Sequence, residues 1–136
     1  MGMLRVGARV ITGSTYLAFG LDVLRDAGGR PQVAANILAA IRRVVPLPAD
    51  DTLVVRANGA VQAGAGALLA VGVLPRLSAL ALAGSLVPTT LAGHAFWTFE
   101  DPALRKQQQI QFAKNVAMLA GLLYALAGDT RKHETS

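Results

Sequence analysis

The chain has 136 residues, 53% of them hydrophobic and 15% charged, with a mean hydropathy of +0.44. Soluble domains carry roughly 25% charged residues, so the sequence reads as one domain that has lipid for its solvent. The net charge is +5, but Arg and Lys flank apolar runs instead of forming an aromatic-interleaved patch, which argues against nucleic acid as a partner. The absence of cysteine excludes disulfides, thiol catalysis and Cys-ligated metal from this chain.

In chain order, the first predicted span covers about residues 3–24. Arg5 and Arg9 sit one turn apart near its start and can reach the headgroups. These arginines precede an apolar stretch as in a signal peptide. Asp22, Arg25 and Asp26 follow instead of a small-residue cleavage site, so residue 1 is expected to start the mature chain. Gly2 is not expected to be myristoylated, because Val6 stands where that motif has Ser or Thr.

Next comes "PQVAANILAAIRRVV", residues 31–45, too short to span. Ala34, Ile37, Leu38, Ile41 and Val45 share one face, and Gln32, Asn36 and Arg43 the other. Pro31 opens this helix and Pro46 and Pro48 close it. It reads as a short interfacial amphipathic helix that caps the bundle.

The second span, about 53–74, contains the uncharged run 57–74 and is closed by Pro75. Gly59, Ala63 and Ala67 repeat at i+4, as do Ala60 and Gly64, a spacing that lets helix backbones approach closely in lipid. The third, about 77–99, has 23 residues without formal charge. At about 1.5 Å per residue this crosses a hydrocarbon core of about 30 Å. Pro88 should kink it, with Thr89 and Thr90 beside the freed carbonyl. In the turn that follows, Asp101 is placed to N-cap the next helix, with Pro102 at its first position. The fourth span, about 104–128, is apolar from Ile110 and leads into the polar tail "GDTRKHETS". The predicted fold class is therefore all-α: an integral membrane four-helix transmembrane bundle plus the interfacial helix, with both termini on one side and no repeat or second domain.

The polar residues gather at one end of this arrangement. Asp22 ends the first span, and Arg56, Asn58 and Gln62 begin the second. His94 and Trp97 end the third, one turn apart, and Gln107, Gln111, Lys114 and Asn115 line the fourth. Buried polar groups are costly in lipid, so Asp22, Arg56, Asn58, Gln62, His94, Trp97, Lys114 and Asn115 are the candidate pocket. Trp97 equally suits an interfacial aromatic belt, His94 a helix–helix hydrogen bond, and Gln107, Gln108 and Gln111 a solvated helix start. Lys114 lies about three turns past Pro102, a depth that predicts an interior position beside Asp22 or His94. No motif names a reaction: there is no GxSxG, no phosphate-binding glycine loop, and no His pair spaced for metal or haem.

"RANGAVQAGAGALLAVG", "LPRLSALALAGSLVPTTLAGHAFW" and "DPALRKQQQIQFAKNVAMLAGLL" resemble the DoxX family of small bacterial membrane proteins, with "PTTLAGHAFW" and "QFAKN" the most specific blocks. The resemblance covers about residues 5–129. It implies a four-helix transmembrane bundle in the bacterial plasma membrane, and marks Asn58, Gly59, His94, Trp97, Lys114 and Asn115 as matching positions. The family is associated with a membrane thiosulfate:quinone oxidoreductase and with membrane oxidoreductase systems that handle thiol or oxidative stress. The resemblance therefore implies a redox-linked accessory subunit whose pocket takes a quinone headgroup or small anion. The competing reading is a non-enzymatic scaffold that recruits partner proteins, further copies of the chain among them. Transport fits less well, since no inverted repeat is visible. Orientation divides the two lines of reasoning. Arg25, Arg30, Arg42, Arg43, Arg56, Arg105 and Lys106 outnumber Arg5, Arg9, Arg76, Arg131 and Lys132, which favours termini outside; the resemblance implies termini in the cytoplasm.

Overall fold

The computed structural model describes residues 2–134, with side chains for 2–127. Among the described residues there are five α-helices and no strand: α1 (Met3–Arg25), α2 (Arg30–Arg42), α3 (Asp51–Val71), α4 (Pro75–Gly93) and α5 (Pro102–Glu134), with a 3-10 turn at Phe96–Thr98 between the last two. Three are long and apolar enough to cross a membrane: α3, α4 extended to Thr98, and α5 over Pro102–Ala127. The 23-residue α1 is not among them. Its sequence spends Arg9, Thr12, Ser14, Thr15 and Tyr16 where the other helices carry aliphatics.

Start and stop signals explain the boundaries. Asp50 caps α3 by accepting from the Thr52 and Leu53 amides at 3.0 and 3.4 Å. Gly72, at φ 81°, ends α3 in the left-handed conformation, with the Val73 amide bonded back to Leu68 O. Asp101 caps α5 as expected, its Oδ1 2.9 Å from the Ala103 amide. Several boundaries differ from the sequence reading: α3 ends at Val71 and not at 74, and α5 continues to Glu134, past 128. α2 stops at Arg42, not at residue 45, and Val44 and Val45 lie 82% and 46% exposed. β-Branched residues running into Pro46 disfavour helix there. α4 ends at Gly93, so His94 and Trp97 do not share a helical turn. Gly93 is a weak helix former, and the aromatics beyond it pack onto α5 instead.

The tightest seam is α1 on α3. An added Cβ at Gly66 would lie 2.6 Å from Gly13 O and 2.7 Å from Leu17 N, and one at Gly20 would meet backbone atoms of Gly59 and Ala63. The stripe Gly59, Ala63, Gly66, Ala70 thus lets two antiparallel backbones touch. Gly64 of the alternative stripe has open space beside it. α3 packs in turn on α4, and α4 on α5. Tyr16, Ala65, Leu69, Ala79, Leu82, Ala83, Leu86 and Leu122 form the core where these helices meet. α2 lies against α3 and α4, with Leu38 buried, Ala34, Ile37 and Ile41 half-buried, and Gln32, Asn36 and Arg43 exposed. The outer faces stay apolar: Ile11 is 69% exposed, Val71 70% and Leu80 58%.

Candidate functional site

Asn58 and Gln62 stand one turn apart on α3, and Ser85 and Thr89 one turn apart on the facing side of α4. Gln62 Nε2 donates to Ser85 Oγ (3.1 Å), which donates to Asn58 Oδ1 (2.6 Å). Asn58 Nδ2 donates to Thr89 Oγ1 (3.1 Å), whose hydroxyl donates to Ser85 O (2.8 Å). The next residue, Thr90, gives its proton to Leu86 O (2.7 Å) and accepts from Asn115 Nδ2 on α5 (3.0 Å). Gln62, Ser85 and Thr90 are buried; Asn58, Thr89 and Asn115 are half-buried. The Ser85, Thr89 and Thr90 hydroxyls each both give and take a hydrogen bond. Such bonds between membrane helices contribute about 0.6 kcal/mol each, and unpaired groups there would cost several kcal/mol. All six side chains are amides or alcohols, which keep one protonation state across physiological pH.

The charged candidates lie elsewhere. Asp22 pairs with Arg30 at 2.8 Å, both well exposed. Arg30 also donates to Asp26 O (3.1 Å), tying α2 to the end of α1. Arg56 is exposed and makes no ion pair among the described residues. Lys114 is exposed as well, and its Nζ lies 3.4 Å from Gln111 Oε1 of its own helix. The expected interior Lys114 beside Asp22 or His94 is therefore corrected. Lys114 lies about three turns past Pro102, but the apolar stretch of α5 begins near Ile110, leaving Lys114 only about one turn inside it. Helical side chains lean towards the N-terminus, so the ammonium reaches back beside Gln111.

His94 and Trp97 occupy the corner between α4 and α5. His94 Nδ1 is 2.8 Å from Gln108 Oε1. Phe96, Trp97 and Phe112 pack edge to face, with centroids 5.2 to 6.0 Å apart, and fasten the 3-10 turn to α5. Beside this corner an apolar cleft of about 120 Å³ runs between α4 and α5, with Thr90 and Asn115 on its wall. That is small against the roughly 300–1,000 Å³ of ligand pockets. A wider, open depression of about 360 Å³ lies between α2 and the start of α3, away from the eight candidates.

Of the eight, then, Asn58 and Gln62 bond to Ser85 and Thr89 of α4, Asn115 bonds separately to Thr90 of the same helix, His94 and Trp97 share a corner, and Asp22, Arg56 and Lys114 stand apart on the surface. Ser85, Thr89, Thr90, Gln108 and Phe112 were not singled out as site residues. The i+4 spacing of Ser85 and Thr89, matching that of Asn58 and Gln62, was the available signal.

A family model described as DoxX matches residues 4–95, more than half of the chain. The chain belongs to the DoxX family. No curated protein and no solved structure matches it. The DoxX match takes in α1 to α4 and His94. Trp97, α5, Lys114 and Asn115 fall after its last residue.

Proposed function

We propose that this DoxX protein is a four-span subunit of the bacterial plasma membrane, with α1, α3, α4 and α5 crossing the bilayer and α2 lying along the interface as a cap. It serves as an accessory to a membrane oxidoreductase system, contributing binding and not redox chemistry. The observation that carries this reading is the chemistry of the helix contacts: among the described residues, the side-chain hydrogen bonds that α4 makes to α3 and α5 between Ser85 and Thr90 join only amides and hydroxyls. Such groups hold helices together and orient neutral ligands, but they do not shuttle protons near neutral pH. α1 counts as a span because its outward face is mostly apolar, with Ile11 69% and Phe19 58% exposed and Ser14 the exposed polar residue at mid-helix, while Gly13, Tyr16 and Gly20 are buried against the bundle.

A narrower reading places a quinone at the α4–α5 corner. Its support is the half-buried His94, bonded to Gln108 of α5, and Phe112, which lines the apolar cleft and packs on Phe96 and Trp97. With Gln108 Oε1 accepting from Nδ1–H, Nε2 is left as an acceptor, which suits the hydroxyl of a quinol; a quinone carbonyl would need the imidazolium. Lys114 takes no part in this version.

Purification of the intact protein from membranes in a mild detergent tests the proposal, with mass spectrometry of co-purifying proteins and quinone analysis of the lipid extract. An oxidoreductase partner in near-stoichiometric amount is the expected result. A stable partner of purely structural kind, without quinone, favours the scaffold reading instead.

A further inference from the structure

At the end of the molecule formed by the C-terminus of α1, α2 and the start of α3, nearly every carboxylate is used internally. Asp22 is paired with Arg30, and Asp51 with Arg42 at 2.7 Å. Asp26 accepts from the Gly28 amide at 2.9 Å in the turn after α1, and Asp50 caps α3. Arg42 additionally donates to Pro48 O (2.6 and 3.0 Å), closing the loop between α2 and α3. Three guanidinium groups are left over. Arg25, Arg43 and Arg56 are exposed and have no ion pair or side-chain hydrogen bond among the described residues.

Their placement is not scattered. Gly13 faces Gly66, and Gly20 faces Gly59 and Ala63, so α1 and α3 run antiparallel in a fixed register. Counting on along both helices brings Arg25 level with Arg56. The Arg42–Asp51 ion pair holds the end of α2, and with it Arg43, at the start of the same α3. The loop beside Arg43 exposes Val44 by 82% and Val45 by 46%. Exposed arginines next to exposed valines, at the end of helices with apolar outer faces, match the chemistry of a membrane interface: phosphate outside, acyl chain beneath. A soluble polyanion would complement the charge but leave the valines in water.

We propose that Arg25, Arg43 and Arg56 form a docking surface for anionic phospholipid headgroups, with Val44 and Val45 set into the adjoining acyl region. The proposal rests on the four-span reading, because α1 must cross the bilayer for Arg25 to reach the same headgroup layer as Arg56. It adds a lipid preference that membrane insertion alone does not require. Each basic side chain near an anionic surface contributes about fivefold in affinity, so three together give at least about a tenfold preference for anionic over zwitterionic lipid.

The test uses the full chain purified in a neutral detergent and follows its melting by Trp97 fluorescence. Phosphatidylglycerol or phosphatidylcholine is titrated in. The expected result is half-saturation at about tenfold or more lower concentration for phosphatidylglycerol, with the preference shrinking as salt rises. R25Q/R43Q/R56Q should abolish the preference, R25K/R43K/R56K should keep most of it, and R5Q/R76Q, at the other end, should leave it intact. Equal responses to the two lipids would overturn the proposal, as would a preference that survives in the Gln variant. A shift of equal size with inorganic phosphate would replace the headgroup by a free anion and overturn it too. Should the Gln variant not fold, the salt dependence and the two lipid titrations of the parent decide alone. Labelling single cysteines at the two ends of α1 from opposite sides of the membrane reports separately whether α1 crosses, so failure of the lipid preference is distinct from failure of the four-span reading.

Discussion

Gly66→Ala adds one methyl group at the place where α1 and α3 touch. The new Cβ would lie 2.6 Å from Gly13 O and 2.7 Å from Leu17 N, with Tyr16 Cβ at 3.0 Å. Two of these three atoms belong to backbone and cannot rotate away. Restoring ordinary contact at about 3.4 Å or more requires the helices to part by roughly 0.8 Å along the whole seam, since both are stiff; overpacking of this kind costs about 1–3 kcal/mol. On the scaling for a domain of this size that is a fall of roughly 3–10 °C in melting temperature. Gly64→Ala, two residues away on the same helix, meets nothing within 4 Å, and Ala is the better helix former by about 1 kcal/mol. The pair is read by thermal unfolding of the purified protein in detergent, followed by circular dichroism. Gly66→Ala should melt lower than the parent and Gly64→Ala at the same temperature or higher. Equal effects of the two changes, or a harmless Gly66→Ala, would refute the close approach of α1 to α3.

Ser85→Ala removes the hydroxyl that joins Gln62 to Asn58 and should cost about 0.6–1.7 kcal/mol; a double-mutant cycle with Asn58→Ala should show coupling, and strict additivity would mean the two do not interact. Lys114→Met and Asp22→Asn should each change stability by less than about 1 kcal/mol and add independently, because each group is exposed and the two are not paired; a double mutant that recovers lost stability would contradict this. The Tyr16 hydroxyl is buried without a hydrogen-bond partner among the described residues, so Tyr16→Phe should melt at or above the parent temperature, and a loss above about 1 kcal/mol would reveal a partner.

Three of the apolar spans, the caps and the existence of helix α2 were legible because each rests on local sequence. Asp50, Asp101, Pro75 and Pro102 act within a turn of where they stand. The small-residue stripe was half legible: the i+4 spacing pointed to close approach, but Gly59–Ala63 and Ala60–Gly64 fit it equally. Only the partner helix decides, through Gly13 and Gly20. Of the eight candidates, the sequence placed Asn58, Gln62 and Asn115 at one end of the helices, yet their binding partners are hydroxyls of α4, which read as ordinary small residues in an apolar run. The depth of Lys114 in the membrane is set by the start of the apolar part of α5 near Ile110 and not by the start of the helix at Pro102, and the two differ by about two turns. Pairing of charges across helices depends on azimuth as well as level, and the azimuth of α5 follows from Gln108, Asn115 and Leu122 facing inward, which no single residue announces.

The central claim is that α1, α3, α4 and α5 all cross the membrane, and α1 is the helix on which it turns. The natural absence of cysteine makes the direct measurement simple: single cysteines are placed at Met3, Val44, Leu74 and Glu100, and labelled in intact cells with a membrane-impermeant maleimide, before and after permeabilisation. The account predicts that positions 3 and 74 label from one side and positions 44 and 100 from the other. Labelling of positions 3 and 44 from the same side would show that α1 does not cross, and would contradict the account.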